Sequence, residues 1–265
     1  MFMISTFLLQ GATGCLLAML PVPARATGRA FNRFVTALAA VVLLLGLATG
    51  ARAALAGPSR VLWWMALLCA ALSAGLSHSG RIGAGRWVLT SAATWAVVAT
   101  SLDAGALATA AGRSAPLDLT LFVADALTSA WLLGTILVAM ILGHYYLNIA
   151  GLPIIHLIRL SFLSFLAAAL RGGVFAWGLV ADGGSIVTPF LAMDLDVAGI
   201  LPAVVLVQRF LFGIAGTLVL CLMAWRTAKI SSTQSATGIL YIGVIAVLVG
   251  ELASRYLLFT AGSPL

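Results

Sequence analysis

Residues 118–147 read DLTLFVADALTSAWLLGTILVAMILGHYYL. From Leu119 to Gly143 the stretch carries one charged residue, Asp125, and ends on His144, Tyr145 and Tyr146. About 20 apolar residues at 1.5 Å each match a hydrocarbon core of ~30 Å, so the stretch reads as a transmembrane helix. It holds a carboxylate near one end and titratable ring groups at the other. Both ends recur below as candidate sites.

Similar runs repeat along the chain, separated by short basic or Gly/Pro-rich breaks. They place spans at roughly 3–20, 31–50, 61–77, 87–109, 118–147, 153–178, 198–225 and 236–259. Of 265 residues, 63% are apolar and only 14 Lys/Arg and 7 Asp/Glu remain, which leaves no soluble part able to bury a core. The expected fold is therefore all-α: a polytopic integral membrane protein of about eight helices, with residues 1–265 forming a single transmembrane domain. The net charge of +7 comes from arginines scattered at helix ends, without a basic block, and so does not indicate nucleic-acid binding. Cys15, Cys69 and Cys221 sit inside apolar runs without metal-ligand spacing and read as small core residues.

Ala24-Arg25-Ala26 ends the first run as a cleavage site would, but nothing basic precedes that run and Arg25, Arg29 and Arg33 follow it. That polarity predicts a retained first helix. Odd-numbered loops and their flanks hold Arg25, Arg29, Arg33, Arg81, Arg86, Arg159, Arg226 and Lys229, against Arg52, Arg60 and Arg113 in the even-numbered ones. The excess predicts both termini outside, in a bacterial cell (inner) membrane. The third span, short and flanked by arginines, is the weakest. Ser231, Ser232 and Thr233 are candidate caps for the last helix.

Polar groups inside hydrocarbon are costly, so they are the candidates for function. The first four spans offer almost nothing ionisable at depth. The last four offer Asp125, Arg171, Arg209, Glu251 and Arg255, which are placed to converge on one outer cavity as a proton path or ligand site. Arg209, near mid-span, is the strongest candidate; Asp125 is its expected principal partner and Glu251 the second. The alternative is a set of structural ion pairs, in which Glu251 and Arg255, on one face at i,i+4, neutralise each other and Arg171 snorkels outward.

A second group, His144, Tyr145, His156 and Arg159, lies at the inner ends of spans five and six. A quinone headgroup needs hydrogen-bond donors or titratable partners at its carbonyls within a lipid-reachable slot, and these residue types supply them. A b-type haem is disfavoured, because its only plausible axial pair, His144 and His156, sits near the surface. A metal is disfavoured further, since no carboxylate or thiolate accompanies the histidines.

The last span reads Gly250-Glu251, then Ser254-Arg255-Tyr256-Leu257, then Gly262. It resembles the closing helix of the membrane-anchor subunits of DMSO-reductase and polysulfide-reductase-type molybdopterin oxidoreductases, which are also eight-helix proteins. Ser232 to Tyr241 does not follow that pattern. The resemblance implies a quinone-reactive, non-catalytic integral subunit without a catalytic metal, partnered by an iron–sulfur electron-transfer subunit. The leading expectation is thus a non-catalytic membrane subunit of a redox complex that binds quinone or quinol and contacts lipid and other subunits. A small-solute or proton-coupled transporter using Asp125, Arg209 and Glu251 is the alternative, and a structural scaffold the next. No Ser/His/Asp order, HExxH or paired-Asp motif supports a membrane-embedded enzyme.

Overall fold

The structure is a computed structural model describing residues 2–50, 58–149, 152–181, 197–262 and Pro264. Every described element is helical: α1 (Phe2–Met19), α2 (Ala24–Gly50), α3 (Pro58–His78), α4 (Ile82–Ala110), α5 (Pro116–Asn148), α6 (Ile155–Ala181), α7 (Val197–Gln208), a π-helix π1 (Arg209–Gly216), α8 (Thr217–Lys229) and α9 (Thr233–Ala261). α7, π1 and α8 run on as one rod. Arg52 and the sixth loop, with Gly183-Gly184-Ser185, Asp182, Asp194 and Asp196, lie outside the described residues.

Six of the described helical stretches are long and apolar enough to cross a membrane: Ala26–Gly50, Ser59–His78, Pro116–Asn148, Ile155–Ala181, Ala203–Lys229 and Thr233–Thr260. The chain is a helical multi-pass membrane protein. The third segment, expected to be the weakest, is among the six. Those that fall short are α1, apolar but shorter at Met3–Met19, and α4, where Thr90, Ser91, Thr94, Thr100, Ser101 and Asp103 thin the apolar run.

Burial fits a membrane solvent. Val61, Leu68, Leu72, Ile242 and Ile245 face outward, whereas Ser5, Thr13, Ser129, Thr135 and Ser164 are buried. Several buried hydroxyls donate to the carbonyl four residues back, as Thr13 does to Leu9 (2.8 Å) and Ser164 to Leu160 (2.9 Å), and so need no water.

α5 is the central helix, with 72% of its most apolar window buried against 28–44% in the other five. α1 and α4 pack on one side of it and α6 and α9 on the other. Glycine permits the closest crossing. A Cβ on Gly14 of α1 would lie 1.7 Å from the Ala130 carbonyl oxygen of α5, and one on Gly134 1.8 Å from the Gly14 carbonyl carbon. Small residues let helix backbones meet where no hydrophobic force drives them together.

α2 breaks at Gly28 (φ 83°), and the Asn32 amide donates to the Gly28 carbonyl (2.7 Å) across the break. At α9, Ser232 occupies the N-cap position but makes no side-chain cap bond. The Ser232 carbonyl accepts the first intrahelical bond, from Ala236 N–H at 3.0 Å, but the expected side-chain cap is not formed.

Candidate functional site: a buried ion cluster

Depth follows from counting along the helices. Asp125 lies nine residues after Pro116, Arg171 ten before Ala181, Arg209 twelve after Val197 and Glu251 ten before Ala261. Successive rods alternate in direction, so all four sit ~14–18 Å from the same ends, at one level. The structure gathers them with Arg255 into one network whose five residues are each at most 2% exposed.

Its hub is Arg171. The guanidinium grips Glu251 as a fork, Nε to Oε1 at 3.0 Å and Nη2 to Oε2 at 3.1 Å. Nη1 donates to Asp125 Oδ1 at 2.5 Å and Nη2 also to Ser254 Oγ at 2.9 Å. Arg255 Nη2 donates to the second Asp125 oxygen at 2.8 Å, and Arg209 Nη1 to Glu251 Oε1 at 3.0 Å. Ser129 completes the Glu251 shell, donating to Oε2 at 2.6 Å, with the Gln10 amide oxygen 3.3 Å from the same hydroxyl. Charge-assisted and forked bonds of this kind are the strong ones, and burial spares them from screening.

Three expectations are corrected here. Arg171 does not snorkel; it ties α6 to α5 and α9. Arg209 pairs with Glu251 and not with Asp125, because Asp125 is taken by Arg171 and Arg255. Glu251 and Arg255, though on one face of α9, pair with different residues, since Arg171 lies between the two acids and binds both.

Three guanidiniums against two carboxylates leave this set one positive charge in excess. It also holds unmet donors: among the described residues, Arg209 Nε and Nη2 and Arg255 Nε are buried without a hydrogen-bond partner. Leaving a buried donor unpaired costs about 1–3 kcal/mol, more when it is charged.

Local backbone explains how Arg209 reaches this position. It is the first residue of π1, a rare, wide helix type that is frequent at functional sites. The Thr217 hydroxyl donates to the Phe212 carbonyl five residues back, at 3.0 Å. π1 crosses α9 at Gly213 and Gly250, where a Cβ on Gly250 would fall 2.2 Å from Gly213 Cα. Neither side chain intervenes, so Arg209 lies against the α9 backbone beside Glu251.

The opposite face of the same turns borders an apolar groove of about 760 Å³, lined by Gln208, Leu211, Phe212, Ile242, Ile245 and Val249 among others. Leu211, Phe212, Ile242 and Ile245 are exposed, so the groove opens on the membrane-facing surface. Gln208 precedes Arg209 in sequence and Val249 precedes Gly250-Glu251, so groove and cluster are back to back on two helices.

The first four helices also contribute, contrary to expectation. Asp103 of α4 is half-buried and accepts from Trp63 Nε1 of α3 at 2.8 Å, with the Ser59 hydroxyl as a second donor. In the sequence it was passed over, although a lone acid seven residues inside a helix end, after Thr100 and Ser101, was the signal available.

The inner group is looser. His144 is exposed, with Nδ1 3.2 Å from the Tyr241 hydroxyl of α9. Tyr145 packs edge-on against Phe31, ring centroids 5.3 Å apart. His156 is buried with Nδ1 unpartnered, and Arg159 is exposed. The Tyr146 hydroxyl donates to the Pro153 carbonyl, fixing the α5–α6 turn. Among the described residues no hydrogen bond links His144, Tyr145, His156 and Arg159 to one another, and no three His, Cys, Asp or Glu side chains gather as a metal site.

No family profile, curated protein or solved structure matches this chain.

Proposed function

We propose that the chain is a non-catalytic integral membrane subunit of a redox complex that binds quinone or quinol at the outer cluster. The observation that carries this reading is the pairing of Arg209, with two unmet N–H donors, and a membrane-facing apolar groove behind it. A quinone presents acceptor oxygens on a polar ring and a long apolar tail. The tail suits the groove, and Gln208 stands at the groove wall next in sequence to Arg209, whose donors are the nearest charged ones to a ring carbonyl there. Glu251, shared by Arg171, Arg209 and Ser129, is the carboxylate nearest that position. The resemblance of the closing helix to molybdopterin-enzyme anchors supports the same reading, and the inner residues His144, Tyr145, His156 and Arg159 become interface anchors.

In this reading eight helical rods cross the bilayer and both termini lie outside, following the arginine excess. Reporter fusions at 81–84 in the cytoplasm and at 113–116 outside are the expected result, and the reverse pattern overturns the orientation. The ligand is tested by purifying the full chain from its membrane and extracting its lipid. Stoichiometric quinone and a co-purifying iron–sulfur subunit are expected. Quinone no higher than in an unrelated multi-pass protein from the same membrane overturns the reading. That outcome favours an ion lock without a ligand, the second reading, which draws on the complete burial of the five side chains.

A further inference from the structure

The excess positive charge of the cluster has a counter-charge across a small cavity. A void of about 20 Å³ lies where α1, α3, α4, α5 and α9 meet, lined by Gln10, Trp63, Thr100, Asp103, Asp125 and Arg255 among others. The wall is largely apolar (Leu9, Leu107, Phe122, Leu258) but carries polar groups, and a void of this size holds about one water, which needs two to four polar partners. Those are present: the Thr100 hydroxyl, the Asp103 carboxylate, the Asp125 carboxylate and Arg255, whose Nε has no protein partner. Arg255 in the wall disfavours a cation there.

We propose that Asp103, joined through one water in this cavity to the Arg255–Asp125 pair, is the proton-exchange group of the buried ion cluster. Among the described residues, Asp103 is the acid across this cavity that balances the charges. Ionised, it brings the set to three acids against three arginines. Taking up one proton forms an O–H bond on its carboxylate, cancels one negative charge and returns the set to an excess of one positive. An anionic ligand at Arg209 is then admitted without net buried charge, so ligand charge and proton uptake are coupled across the molecule. This goes beyond the quinone reading and holds for any anionic or anion-forming ligand.

Other charges on the packed helices do not replace it. α1 carries no charged residue. Arg29 and Arg33 of α2 and His78 of α3 lie at the opposite end, Arg33 bonded to His78 at 2.8 Å. Arg86 on α4 itself donates to the Val22 carbonyl at that same end (2.7 Å). Arg60 of α3 is exposed, and on α5 Asp118 pairs with Arg113 at 3.8 Å. Asp125 and Arg255 are the charged groups that share the cavity with Asp103. Trp63 and Ser59 hold its carboxylate in place, with Asp103 half-buried rather than sealed like the other acids.

The test is an acid–base infrared titration of the full-length protein in lipid nanodiscs, reading the carboxylic-acid C=O band. Beside the bands of the other titrating acids, such as Asp118, the wild type should show a distinct component that grows on acidification, isolated as the difference from the Asp103→Asn spectrum. It should vanish in Asp103→Asn and persist in Asp103→Glu. It should be displaced in Arg255→Met and, where that variant does not fold, in the uncharged cavity variant Thr100→Val. A band untouched by Asp103→Asn overturns the assignment. A band lost in Asp103→Asn but unmoved in both Arg255→Met and Thr100→Val overturns the water link to the cluster.

Discussion

The two polar regions of this protein draw on similar residue types, yet they are built differently. At the outer level Asp125, Arg171, Arg209, Glu251 and Arg255 are sealed and each is bonded to another helix. At the inner level His144 and Arg159 are exposed, and the described side-chain hydrogen bond of the group joins His144 to Tyr241, while neighbouring Tyr146 donates to the Pro153 carbonyl. Depth accounts for the difference. A charge at the interface keeps water as a partner, whereas one buried between helices must find its partner in protein. Sealed groups are thus forced into a network with defined geometry, and any donors left over are meaningful. Exposed groups carry no such constraint.

The comparison breaks most visibly at its hub. Arg171→Met removes the partner shared by Asp125 and Glu251 and leaves both acids under-compensated. Loss of a buried ionic partner costs about 3–5 kcal/mol. We predict a large drop in folded yield and in thermal stability in detergent, while Arg159→Met stays within about 0.5 kcal/mol as surface substitutions do. Equal effects of the two would remove the distinction between the levels.

A second test acts through the backbone. Gly250→Ala puts a methyl 2.2 Å from Gly213 Cα and must push π1 away from α9. Such overpacking costs about 1–3 kcal/mol. The variant should fold with reduced stability and lose ligand binding beyond that loss, because Arg209 moves off Glu251. Gly238→Ala on the same helix, which meets nothing within 4 Å, is the matched control and should be neutral in both assays. Indistinguishable behaviour of the two glycines would contradict the close crossing.

The smallest effect is expected at the inner level. His144→Gln with His156→Gln preserves size and some hydrogen bonding and removes both imidazole rings. Quinone content of the purified double variant should match the wild type. A loss of quinone there would return the ligand to the inner ends of α5 and α6.

Hydropathy made the helices legible, and counting along them made the depth of the four charged helices legible as well. What remained hidden was rotation about each helix axis. Residue spacing alone does not tell which of two acids an arginine faces, and π1 changes the angular step per residue just where Arg209 begins it. Glu251 and Arg255 show the limit most plainly: their i,i+4 spacing was correct as geometry and misleading as a pair, because a third helix supplied the stronger fork. Asp103 was missed for a related reason, since its donor Trp63 comes from a neighbouring helix and reads in sequence as one more apolar residue.

The central claim is that Arg209 offers its unmet donors to a ligand carbonyl at the outer level. It is tested most directly by titrating a short-chain quinone analogue into the purified protein in nanodiscs and comparing wild type with Arg209→Gln. A hydrogen bond to a charged group contributes about 1.5–3 kcal/mol, so the variant should bind ~10- to 100-fold more weakly. Binding that is unchanged in Arg209→Gln, or absent in the wild type, would contradict it.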